Sequence, residues 1–122
     1  DFARLSEGQK QLVILTRSLV QDAPVMLMDE PDSALDFLNR HRMLGRIRDL
    51  VHRESKAGLV TLHDPNFALN YCDRLILLRG GGIVAQLALH NAAISEIQDC
   101  LSALYGNIML LKHNGSYMMA IQ

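Results

Sequence analysis

Apolar residues recur along this chain in two rhythms, one at helical spacing and one as short unbroken runs. Leu12, Leu15 and Leu19 follow the helical rhythm, with Val13, Ile14 and Val20 widening the apolar face. Ser6 is placed to cap that helix, with Gln9 three residues on to complete a capping box, and Asp22-Ala23-Pro24 ends it. Val25 to Met28 is a continuous apolar run, the mark of a strand covered on both faces. Pro31 closes the run, because proline has no N–H to give the ladder. Asp36 is a second cap and predicts a helix to about Ser55, with Met43, Ile47, Leu50 and Val51 at i, i+4, i+7 and i+8. Arg40, Arg42, Arg46, Arg48 and Arg53 read as its solvated face.

Gly58 to Leu62 predicts the next strand, which ends at His63-Asp64-Pro65. A short helix from Asn66 to Tyr71 and a strand from Leu75 to Leu78 follow. Gly80-Gly81-Gly82 then makes a tight turn into Ile83-Val84-Ala85. Strand–helix–strand order argues for parallel strands joined by right-handed crossovers, hence an α/β fold. The last third differs. Ala93 to Leu104 reads as a helix, and Ile108 to Leu111 with Tyr117 to Ile121 reads as a hairpin turning at Asn114-Gly115. There is no internal repeat and no low-complexity segment.

Composition narrows the function classes. At 122 residues the chain fits one domain, able to bury roughly two thirds of its unfolded surface. A formal charge of -1 and few aromatics give no electrostatic footprint for nucleic acid. Cys72 and Cys100 lie far apart without metal-ligand spacing and read as buried thiols in a reducing compartment. No apolar run reaches the roughly 18 residues that a spanning helix needs, and no signal peptide is visible, so a cytoplasmic location is expected. Because the chain opens at Asp1 directly ahead of a motif, it is expected to be part of a longer protein.

The candidate chemistry gathers at strand ends. In an open α/β sheet, ligands bind at the carboxyl ends of the strands, and Asp29, Glu30 and His63 all stand there. Phosphoryl transfer needs a metal against the phosphates, a residue to position the attacking water, and donors for the developing charge. Asp29 suits the metal, through a bound water, since Mg²⁺ keeps much of its hydration shell. Glu30, the next residue, points another way and is the candidate general base. His63 is placed to hydrogen-bond a γ-phosphate oxygen. The loop Ser6-Glu7-Gly8-Gln9 offers the complement: a helix start with unpaired N–H groups, a glycine allowing close approach, and a serine hydroxyl. Taken singly, each has a plain structural explanation as a cap, a solvated turn or a loop residue. Their order and their shared sheet edge make the case. His41, His52, His90 and His113 fit no ligand pattern, the six methionines read as core filler, and Gly80 to Gly82 lacks the lysine and helix of a phosphate cradle. No G-x-x-x-x-G-K-[ST] phosphate loop occurs in the chain.

With those residues in view, the chain resembles the ATP-binding cassette family, specifically the C-terminal part of the nucleotide-binding domain of ABC transporters. Leu5-Ser6-Glu7-Gly8-Gln9 is similar to the family signature, with Glu7 where glycine is more usual. Val25 to Glu30 resembles the Walker B strand with its catalytic glutamate. Ser33-Ala34-Leu35-Asp36 resembles the D-loop, and Thr61-Leu62-His63-Asp64 the switch histidine segment. Within the family, His63-Asp64-Pro65-Asn66, Ala68-Leu69, Tyr71-Cys72-Asp73-Arg74 and Leu104-Tyr105-Gly106 are similar to importers of iron chelates, haem or cobalamin.

The resemblance implies a partial P-loop NTPase fold, a three-layer sandwich with a mostly parallel sheet plus a C-terminal helix and β-hairpin. Residues 1–86 would carry the signature, Walker B and switch parts, and residues 87–122 the extension. It implies ATP and Mg²⁺ as ligands, both needing the missing N-terminal part for tight binding, and an ATP hydrolase in the intact protein. Two nucleotide-binding domains would meet head to tail. Ser6, Glu7, Gly8 and Gln9 would then act on nucleotide held by the partner, while Asp29, Glu30 and His63 act on their own chain's nucleotide and Asp36 bridges the two. Membrane permease subunits would be the further partners, with the subunit peripheral on the inner face of the cell membrane. Alone, without a phosphate loop, the chain is expected to be inactive and to self-associate through open strand edges. The competing readings are a non-transport ABC ATPase, usually joined to long coiled coils, and a non-catalytic interaction module. The short run from Gln9 into the Val25 strand and the presence of His63 favour transport, and the intact Asp29, Glu30, Asp36 and His63 favour catalysis.

Overall fold

The computed structural model of the chain describes residues 24–122. The expected helix between Ser6 and Val20 therefore lies outside the described residues. The chain divides in sequence into two units, one ending at His63 and the other running from Asp64 to Gln122.

The first unit contains strand β1 (Val25–Asp29), helix α1 (Phe37–Arg53) and strand β2 (Ala57–Thr61). β1 and β2 are parallel, with Val25 opposite Ala57, Leu27 opposite Leu59 and Asp29 opposite Thr61. A single helix between two parallel strands is the unit that their order predicts. Asp36 caps α1, its Oδ1 accepting from the Asn39 N–H at 2.8 Å, while His52 and Arg53 face the negative end of the dipole in the last turn. Met43, Leu44 and Ile47 are buried, and Leu50 and Val51 half-buried, so the predicted stripe is the packed one. Gly58 lets β2 approach this helix, since a Cβ there would stand 3.0 Å from Val51 Cγ2.

The apolar run Val25 to Met28 behaves differently from expectation on one side. Met26 is buried, but Leu27 is 75% exposed and its register partner Leu59 is 55% exposed. Within the first unit, no described element covers that face. The apolar run predicted cover on both faces, and among the described residues of the first unit the strand is covered on one.

The second unit comprises α2 (Pro65–Tyr71), β3 (Arg74–Arg79), β4 (Gly82–Ala88), α3 (Ile94–Tyr105), β5 (Ile108–His113) and β6 (Ser116–Ile121). β3–β4 and β5–β6 are antiparallel hairpins, so β1–β2 is the parallel pair among the described residues. Both hairpins turn on two residues at positive φ, Gly80 (59°) with Gly81 (79°) and Asn114 (48°) with Gly115 (80°). That is the twist-matched turn for which Asn-Gly and Gly-Gly are suited. α3 packs on β3, β4 and β5. Its Ile97 and Leu101 are fully buried in a core with Leu69, Leu75, Leu89, Ile108, Leu110 and Met119. Arg79 closes its C-terminus, donating to the carbonyl oxygens of Leu104 (2.5 Å) and Ala103 (3.3 Å), and Gly106 follows at φ 79°.

β6 would present a bare edge but for two asparagines spaced one helical turn apart on α2. Asn66 accepts from the Met119 N–H (2.6 Å) and donates to the Met119 carbonyl (3.3 Å). Asn70 does the same with Tyr117, at 2.8 and 2.9 Å. A side-chain amide has one acceptor and two donors, the same complement as a strand's peptide groups. These side chains therefore stand in for a further strand and blunt the edge. The six methionines divide: Met26, Met43 and Met119 are core and Met28 is half-buried, whereas Met109 (40%) and Met118 (63%) lie exposed on the outer face of the β5–β6 hairpin.

Candidate functional site

Parallel register places Asp29 and Thr61 side by side at the carboxyl ends of β1 and β2. The chain leaves β1 through Glu30, whose φ of 46° is left-handed. A non-glycine residue held there costs on the order of 1–3 kcal/mol and persists only where its surroundings fix it. Those surroundings are explicit: the Glu30 N–H donates both to the Thr61 carbonyl (3.2 Å) and to the Thr61 hydroxyl (2.9 Å). The same hydroxyl donates to Asp29 Oδ1 at 2.5 Å. Next, Pro31 and Asp32 are buried, and Asp32 accepts from Arg40 Nε at 3.0 Å. The Ser33 N–H donates to the Glu30 carbonyl and the Leu35 N–H to the Asp32 carbonyl, which carries the loop round to the cap at Asp36.

His63 stands two residues beyond Thr61, and its Nε2 meets Glu30 Oε1 directly. An imidazole nitrogen bonded to a carboxylate must carry the hydrogen, so the donor in this contact is Nε2–H. His63 is 85% exposed and Glu30 37%, so the contact is made at the surface, where screening limits what it adds to stability. Its interest is positional, because it joins the ends of two strands.

The donor set around Asp29 agrees with magnesium chemistry better than with a dedicated metal cage. Among the described residues there is no group of three or more histidine, cysteine, aspartate or glutamate side chains arranged to hold an ion. Mg²⁺ commonly takes one or two carboxylates, several waters and substrate phosphates. With Oδ1 engaged by Thr61, the exposed Asp29 carboxylate retains Oδ2 for a hydrated cation. No helix among the described residues is long and apolar enough to cross a membrane.

No family model matches the chain. Curated relatives do. The cobalamin import ATP-binding protein of Halobacterium salinarum is 41% identical over 83 residues, covering 68% of this chain and 21% of the relative. A probable iron chelatin transport ATP-binding protein of Helicobacter pylori is 38% identical over 101 residues, covering 83% and 38%. An aliphatic sulfonates import ATP-binding protein of Paraburkholderia xenovorans is 44% identical over 97 residues, covering 80% and 39%. Among solved structures, a transporter described as of metal-chelate ABC type, in an inward-facing conformation, matches at a TM-score of 0.75 with 27% identity, covering 98% of this chain and 47% of that one. A dimeric ATP-binding cassette in a post-hydrolysis state with ADP and Pi matches at 0.62 with 31% identity, covering 71% and 37%.

The chain belongs to the ATP-binding cassette family. Its fold is the ABC ATPase domain in part, and it spans between about a fifth and two fifths of the length of these curated relatives. Of the residues expected to form the ABC site, Asp29, Glu30 and His63 come together at one rim. Asp36 stands at the far end of the same loop, with both carboxylate oxygens on Asn39. Ser6, Glu7, Gly8 and Gln9 lie outside the described residues. Cys72 and Cys100 are half-buried rather than buried. Burial, then the neighbouring Asp73 charge, raises the Cys72 thiol above its ordinary value, and burial alone raises Cys100. Both shifts favour the protonated thiol.

Sequence reasoning missed two contributors. Arg40, read as part of a solvated face, is half-buried and paired with a buried aspartate. The signal was Asp32, a carboxylate directly after a proline and eight residues ahead of an arginine on a capped helix. Thr61 was read only as part of the Gly58 to Leu62 strand and of the histidine segment, with no role for its hydroxyl. Its role follows from the Asp29–Thr61 register, which no single strand reveals.

Proposed function

We propose that this chain is the C-terminal part of the ATP-binding and ATP-hydrolysing subunit of an ABC importer, which couples hydrolysis to uptake of a substrate across a membrane. The observation that carries this reading is the contact between Glu30 and His63 beside Asp29, three chemically distinct groups at adjoining strand ends. The intact subunit supplies a phosphate loop and adenine contacts that this sequence does not contain.

In the proposed reaction, Asp29 would hold a hydrated Mg²⁺, which when bound would supply positive charge to offset the charge developing on the phosphoryl group. Glu30 takes a proton from the water as its oxygen bonds to the γ-phosphorus and the bond from that phosphorus to the oxygen bridging the β-phosphate breaks, which releases phosphate and ADP. The His63 Nε2–H, given to Glu30 in this structure, passes to a γ-phosphate oxygen when ATP enters. That exchange frees the Glu30 carboxylate for water at the moment the substrate is in place. Asp36, and the Ser6-Glu7-Gly8-Gln9 loop acting across the interface, serve a head-to-tail pair of nucleotide-binding domains. The dimeric cassette among the structural relatives supports that pairing.

Permease subunits at the inner face of the membrane are the remaining partners. Residues 1–86 carry the chemistry and 87–122 an extension. An iron chelate is the substrate class that the Helicobacter relative and the metal-chelate type transporter support. Taken alone, the chain is expected to self-associate through open strand edges, with exposed Leu27 and Leu59 adding apolar surface.

Isothermal calorimetry and a phosphate-release assay test the reading together. The intact subunit is expected to bind ATP and hydrolyse it with Mg²⁺, while this chain by itself takes up no ATP at micromolar concentration. An intact subunit that binds ATP without turnover, or micromolar binding by this chain alone, would contradict it.

A further inference from the structure

We infer that Thr61 is a positioning residue for hydrolysis, its hydroxyl setting both the Asp29 carboxylate and the backbone of Glu30; the inference rests on the ATPase reading above. A threonine at a strand end is ordinary for its β-branched shape, and shape alone asks nothing of its oxygen. Here the oxygen is fully used. Its O–H goes to Asp29 Oδ1 at 2.5 Å, a short bond to a charged acceptor, and a lone pair takes the Glu30 N–H at 2.9 Å.

The two contacts have separate consequences. With Oδ1 engaged, Asp29 is fixed about its terminal torsion, and Oδ2 is the oxygen left for the hydration shell of Mg²⁺. With its N–H held, Glu30 keeps a left-handed φ of 46° that turns its side chain out of the strand's alternation and toward His63. One hydroxyl thereby couples the metal-holding carboxylate to the base. Valine matches threonine in shape and lacks the hydroxyl, whereas serine keeps the hydroxyl and loses the methyl. The pair of variants separates chemistry from packing.

The test is made on the intact subunit with Thr61→Val and Thr61→Ser. Thr61→Val is expected to lower kcat by about 10- to 100-fold, the cost of mispositioned groups, with KM for ATP unchanged and a higher Mg²⁺ concentration needed for half-maximal rate. Thr61→Ser is expected to restore kcat to within about twofold, because a serine hydroxyl offers the same donor and acceptor. Without nucleotide, hydrogen exchange at the Glu30 amide should quicken by about 3- to 10-fold in Thr61→Val, the worth of one hydrogen bond, and stay unchanged in Thr61→Ser. Wild-type kcat and exchange in Thr61→Val would overturn the inference, as would a folded Thr61→Ser as impaired as the valine variant. Failure of the parent reading is distinct: the wild-type subunit then hydrolyses no ATP, while the exchange comparison still decides whether the hydroxyl holds Glu30.

Discussion

Glu30→Gln in the intact subunit is expected to lower ATP turnover by at least about a hundredfold, the scale on which a general base contributes, while an ATP-stabilised dimer still forms. Glutamine keeps the size and hydrogen-bonding reach of glutamate and removes its ability to take a proton. The backbone of residue 30 is held through its N–H by Thr61, a contact that the substitution leaves alone. Asp29 is likewise untouched, so the metal and phosphate binding proposed for it is expected to persist. Binding therefore continues without release, and dimer accumulates. Steady-state phosphate release and light scattering with ATP measure the two halves. Turnover near the wild-type rate would show that another group takes the proton.

Leu101→Ala is expected to destabilise the second unit by about 3–4 kcal/mol, in the range for a leucine emptied from a tight core. Leu101 is fully buried at the centre of α3, within the cluster formed by strands from both hairpins and by Leu69 of α2. The cavity cannot be filled from one side, because neighbours on several elements would have to move together. The hairpin supports would loosen with it. Urea unfolding followed by circular dichroism gives the loss directly. A change below about 1 kcal/mol would mean that this core relaxes far more readily than native packing allows.

Much of this arrangement was legible in the sequence, for reasons that differ by element. α1 was readable because its cap and stripe agree: Asp36 closes on Asn39, and Met43 and Ile47 are buried. The hairpins were readable because Gly-Gly and Asn-Gly are needed for two consecutive positive φ angles. Asp29, Glu30 and His63 were legible because strand ends in a parallel unit share one rim. The pairing of Arg40 with Asp32, the capping of α3 by Arg79 and the clasp of β6 by Asn66 and Asn70 were not. Each joins residues through three-dimensional placement, and local periodicity carries no trace of it. Thr61 belongs with them, since its hydroxyl finds partners 31 and 32 residues away. The open face at Leu27 and Leu59 has another origin, for an apolar run says that a surface is covered without saying by what.

ATP hydrolysis is proposed to take place where β1 and β2 end, with Glu30 and His63 meeting beside Asp29. A crystal structure of the intact Glu30→Gln subunit with Mg²⁺ and ATP decides this. The γ-phosphate is expected within hydrogen-bonding distance of His63 Nε2, with the cation's hydration shell at Asp29 and residue 30 facing the attacking water. A γ-phosphate remote from His63 and Asp29 would contradict it.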